Sequence, residues 1–133
     1  MDNINISIPG KPEYLTMIRL AAGSIATTAG FDIEAADEIK NALTEACKNV
    51  SCHGEDGFSN KYIISFKVEE GSMEIMVQDD CDKHTLEKKC KPCMHCPAEG
   101  DIGIIVIKSL MDEVEFGRDD KQHKFIRMVK REC

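Results

Sequence analysis

A chain of 133 residues with a formal charge of −7 has room for one core, and it lacks the clustered lysine and arginine that a nucleic-acid backbone demands. Seven cysteines, an odd number, argue for thiol, metal or redox chemistry rather than a disulfide framework, because the start MDNINISIPG has neither the basic nor the apolar region of a secretion signal. No stretch approaches the roughly 20 apolar residues of a membrane span, so a single cytoplasmic domain over 1–133 is the expectation.

Ile4, Ile6 and Ile8 alternate with polar residues and predict a strand over 3–9, which Pro9 and Gly10 end. From Pro12 the apolar spacing becomes helical through Leu15, Ile18, Ala22, Ile25 and Ala29, and Gly30 closes the helix. The longest unbroken helical period covers 33–54, with Ala36, Ile39, Leu43, Ala46 and Val50 on a face made for a core. Its other face is unusual. Glu38, Glu45 and Asn49 share it, with His53 one turn beyond Asn49, so a carboxylate, an amide and an imidazole line up toward one point. A solvated face would account equally well for the acid and the amide alone.

A turn-rich link then leads to a hairpin of 62–69 and 72–79, joined at Glu70 and Gly71. Tyr62, Ile64, Phe66 and Val68 on one strand and Met73, Ile75 and Val77 on the other define one buried face. The second strand ends in Asp79-Asp80-Cys81-Asp82, which on its own reads as an acidic turn. Further on, Gly100-Asp101-Ile102-Gly103 opens an apolar helix that leaves through Met111-Asp112-Glu113-Val114, and two last strands alternate over 114–116 and 125–129. A lone Gly-x-x-Gly carries little information.

Taken together and in this order, the helix with Glu45 and Asn49, the strand ending at Asp79 and the loop of Gly100 and Gly103 resemble the anti-sigma-factor serine kinases. These belong to the ATPase superfamily of gyrase, heat-shock chaperones, sensor histidine kinases and mismatch-repair ATPases. The resemblance covers roughly 6–128 and implies a histidine-kinase-like ATPase fold. That fold is an α/β (α+β) two-layer sandwich, a mostly antiparallel mixed sheet of four or five strands with about three helices on one face. It further implies ATP with Mg2+, a sigma factor and an anti-anti-sigma protein as partners, phosphorylation of a serine on the latter, and a homodimer. In the family the first strand and helix help build the subunit and its contacts, whereas composition alone reads them as core. By resemblance, Glu45 is the base for the serine hydroxyl, Asn49 the magnesium ligand and Asp79 the acceptor for the adenine amino group. His53, Gly100, Asp101 and Gly103 complete the nucleotide site, the glycines because backbone N–H groups must approach phosphate oxygens.

Three positions depart from the family. Cys81 and Asp101 stand where glycines are usual, and Lys124 where a Gly-Thr pair is common. A carboxylate about 5 Å from a phosphate charge costs on the order of 3 kcal/mol at an effective dielectric near 20, about a hundredfold in affinity. Lys83 and Lys108 are candidates to offset it.

The segment 81–97, where the kinases carry a flexible lid, holds Cys90, Cys93 and Cys96 in a C-x2-C-x2-C run followed by Pro97. This spacing matches the ligand run of bacterial ferredoxins, with Gly100 where the fourth cysteine would stand. A fourth ligand would come from Cys81, His84, His95 or Cys133. The set suits an iron-sulfur cluster or tetrahedral zinc. Metal-free thiol sensing is a further possibility, with Lys88, Lys89 and Lys91 lowering the thiol pKa values. Two functional expectations follow: an ATP-dependent serine kinase, or a sigma-binding module without kinase activity whose cysteine segment senses redox state or metal. Cys47 and Cys52 are expected to behave as small helix residues.

Overall fold

The computed structural model describes residues 2–9, 11–50, 61–79, 102–118 and 124–132. It builds an α+β sandwich from β1 (Asp2–Pro9), α1 (Pro12–Thr28), α2 (Ile33–Val50), β2 (Lys61–Glu69), β3 (Ser72–Asp79), α3 (Ile102–Leu110), β4 (Glu113–Arg118) and β5 (Lys124–Arg131). The strand order is β1-β2-β3-β5-β4, and every pairing is antiparallel. The expected mostly antiparallel sheet of four or five strands is thus a five-stranded one, antiparallel at every described pairing.

Alternation converts directly into rows across the sheet. Ile6, Ile64, Val77, Ile126 and Phe116 form one row, and Ile4, Phe66, Ile75, Met128 and Val114 the next. All ten belong to the buried core or pack against it. α2 lies between α1 and α3 and over β3 and β5, so the helices close this face. The reverse face is polar: Glu74 pairs with Lys67 and Arg127, Arg127 also reaches Glu115, and Arg131 pairs with Glu113.

α1 starts where Pro12 at its first turn follows an extended Lys11, with φ of −124°. It ends in a Schellman arrangement in which Phe31 N–H donates to Ala26 and Gly30 N–H to Thr27. That arrangement needs the left-handed φ of 97° that Gly30 supplies. Asp32 then caps α2, its Oδ1 accepting from Ala35 N–H at 2.8 Å. Phe31 before this cap and Ala36 after it are both buried, the positions that a hydrophobic staple joins.

Arg19 fastens the two helices. Its guanidinium donates to Lys40 O, Thr44 Oγ1 and Asn41 Oδ1. Gly23 leaves room for the Lys40 stem, since a Cβ there would lie 2.7 Å from Lys40 Cε. The core face of α2 is wider than its three-and-four spacing suggests, because Ala42 and Cys47 are fully buried beside Ile39, Leu43 and Ala46. Among the described residues, no helix is long and apolar enough to cross a membrane.

Candidate functional site

Two ends of the sandwich can be told apart by what is tied there. At one end Lys130 donates to Leu110 O at 2.6 Å, the final carbonyl of α3, and to the Glu38 carboxylate at 3.3 Å on α2. Asp112 N–H donates to Val129 O at the same place, and Arg131 N–H to Asp112 Oδ2. α2 leaves this end with increasing residue number and α3 with decreasing number, packed side by side. The last turns of α2 and the first turn of α3 therefore travel together toward the opposite end of the sheet. β3 runs the same way, because Met73 near its start pairs with Lys130 while Asp79 closes it.

This arrangement brings together elements that the sequence separates widely. Glu45 lies seven residues, about 10 Å, beyond Glu38 along α2, and is half-buried there. Asn49 follows one turn later on the backbone of the same helix. Asp79 occupies the last rung of β3 opposite Tyr62, itself opposite Ile8. Gly103, half-buried, is the second residue of α3, whose amino-terminal N–H groups and dipole favour an anion. The backbone positions of Glu45, Asn49 and Asp79 and the amino terminus of α3 thus share one end of the described fold. The set suits a magnesium nucleotide: acceptors for the base and the cation, donors for the phosphates.

His53, Cys81, Cys90, Cys93, Cys96, Gly100 and Asp101 lie outside the described residues. Among the described residues there is no cluster of three or more His, Cys, Asp or Glu side chains arranged to hold a metal ion. Lys108, a candidate to offset Asp101, falls in the last turn of α3. That places it about 9 Å along the axis from the helix start, at the end where its charge complements the carbonyl end of the dipole.

Glu38 is set apart by its partner. It shares the polar line of α2 but is tied to Lys130, with side chains 33% and 14% exposed. Lys130 is the residue that sequence reasoning missed. The alternation of Ile126, Met128 and Lys130 continues a buried row with a cation, but nothing in the sequence points to the partners that hold it there. Around the same end lies a cleft of about 480 Å³ between Phe31, Glu34, Glu38, Asp112 and Lys130, away from Glu45 and Asp79.

The sequence is similar to those of known proteins. The family model for the histidine kinase-like ATPase domain matches residues 8–130. The chain is 33% identical over 126 residues to the serine-protein kinase RsbW of Bacillus pumilus (strain SAFR-032), covering 86% of this chain and 78% of that protein. It is 32% identical over 128 residues to the protein of the same name from Bacillus thuringiensis (strain Al Hakam), covering 90% and 79%. The RsbW of Bacillus cereus (strain 03BB102) matches to the same extent.

Proposed function

The chain belongs to the histidine kinase-like ATPase domain family, and from that premise we propose that it is an anti-sigma-factor serine kinase. In this reading it binds a sigma factor and transfers the γ-phosphoryl group of ATP to a serine of an anti-anti-sigma protein. The observation that carries the reading is the convergence of Glu45, Asn49, Asp79 and Gly103 on one end of the fold, from α2, β3 and α3. Serine-protein kinase is also the name of its relatives.

The roles follow from residue chemistry. Glu45, half-buried on the polar line of α2, accepts the proton of the serine hydroxyl as the nucleophile attacks. Asp79 accepts from the adenine amino group and fixes the base. The N–H groups at the start of α3 hold phosphate oxygens, and Gly103 permits their close approach. Asn49 would hold the magnesium ion, which would supply neutralisation of the phosphate charge when bound. Catalysis by these groups is positioning plus electrostatics, which is what phosphoryl transfer requires. The unit is a homodimer in this reading, and Tyr14, Met17 and Leu20, exposed along α1, are its contact stripe.

Calorimetric titration of the reduced protein with MgATP tests the reading. Micromolar binding that weakens on Asn49→Ala is the expected result, together with loss of phosphoryl transfer in Glu45→Ala. Absence of binding up to millimolar nucleotide would overturn it, and transfer that survives Glu45→Ala removes the assigned base.

A second reading rests on the C-x2-C-x2-C run of Cys90, Cys93 and Cys96 and on Cys81 and Asp101 in place of glycines. In it the chain is a sigma-binding module without kinase activity that senses redox state or a metal, iron-sulfur or zinc, through that segment. Bound iron or zinc after anaerobic purification, and altered sigma affinity when the three cysteines become serine, are its expected results. Unchanged affinity sinks it.

A further inference from the structure

We propose that Lys130 is a positioning residue for the nucleotide site, acting from the opposite end of the fold; this rests on the reading of that site given above. Lys130 stands in the row of Val68 and Met73, both buried, where alternation calls for an apolar side chain. Its own side chain is 14% exposed. A cation is retained at such a position at a desolvation cost. What it gains is two partners from two other elements, the Glu38 carboxylate of α2 and the Leu110 carbonyl that ends α3.

The second partner matters most. The last carbonyls of a helix have no partner within it, and Lys130 satisfies the carbonyl of Leu110 while its charge complements the negative end of the dipole. With Asp112 N–H on Val129 O and Arg131 N–H on Asp112, this fixes α3 to β5 at its carboxyl end. The ammonium then ties that fixed point to α2. α3 has nine residues and is about 13 Å long, so a tilt of about 5° at Leu110 displaces its first turn by about 1 Å. Misplacement of that size costs on the order of a hundredfold in a site that works by positioning. Lys130 thus sets the distance between the Glu45–Asn49 turn of α2 and the first turn of α3.

The test compares Glu38→Gln/Lys130→Met, which strands neither charge, with Lys130→Arg, which keeps a donor able to reach both partners. Amide exchange is followed along α3 and along β2 and β3, and MgATP affinity by calorimetry. Expected in the double variant is at least tenfold faster exchange in α3, unchanged protection in β2 and β3, and at least tenfold weaker MgATP binding. Lys130→Arg recovers most of both. Exchange in α3 and MgATP affinity within twofold of the parent would overturn the proposal. So would loss of protection spread evenly over all elements, which marks a residue of general stability only. A parent protein that does not bind MgATP overturns the nucleotide reading and the ligand half of this proposal. The α3 exchange still decides whether Lys130 anchors the helix.

Discussion

Cys47 shows how one residue on α2 separates core from chemistry. It lies two positions from Glu45, yet the helix turns its thiol wholly into the core. Burial pushes its pKa up from 9.0 to about 12, because a thiolate there would lose its hydration. The unfolded chain releases this proton near pH 9 while the folded chain holds it to about 12. The unfolded state therefore binds fewer protons across this window, and stability falls as pH rises. The contribution is fully present below pH 9 and declines above it by on the order of 1.4 kcal/mol per pH unit. Denaturant unfolding of the parent and of Cys47→Ala, repeated from pH 8 to pH 11, should show the parent losing stability faster. Parallel curves would mean that the thiol is not held neutral. Iodoacetamide at pH 8 should likewise leave the Cys47 peptide unlabelled until the protein unfolds.

Elements are where the sequence was most informative, and α2 shows both its reach and its limit. The start of α2 at Ile33 agrees with the helical period, and its cap is testable. Asp32→Ala removes the acceptor for Ala35 N–H and should cost about 1 kcal/mol, with Asp32→Asn nearly neutral. Equal losses in the two variants, by thermal melting, would assign the effect to something other than the cap. The hairpin supplies a second case. Gly71 has φ of 74° and a Cβ there would sit 3.3 Å from Glu132 Oε2. Since that carboxylate ends a flexible side chain, backbone strain dominates, and Gly71→Ala should cost about 1–2 kcal/mol. The strands, their rows and the core face of α2 were legible because period-2 and period-3.6 burial are local signals. Lys130 was not, because its partners lie 92 and 20 residues away and no spacing in the sequence links them. Cys47 and Ala42 widened the α2 core for a similar reason: only α1 and α3 on either side decide how broad the buried stripe must be. Glu45, Asn49, Asp79 and Gly103 could be nominated by resemblance, but their arrival at one end depends on antiparallel register and on the opposed directions of α2 and α3.

At the scale of the molecule, the proposed site draws on α2, β3 and α3, and all three feed one core through Leu43, Ile75 and Ile107. A ligand that holds these elements together should therefore stabilise the whole fold, not one segment. At a free ligand concentration about a hundred times its dissociation constant, binding to the native state alone adds about 2.7 kcal/mol. With a per-residue unfolding entropy of about 2 cal/mol/K, a chain of 133 residues would gain at most about 10 °C in Tm. The affinity weakens on heating, so a shift of several degrees is the expected scanning-calorimetry result with MgATP. The shift should shrink when magnesium is omitted, and Asn49→Ala should remove most of it. The alternative is a ligand that orders only α3. Because sub-global opening can expose one element while the rest stays folded, such a ligand would slow α3 amide exchange and leave Tm unchanged. Tm and exchange measured on the same samples separate a site built into the core from one carried on a single helix.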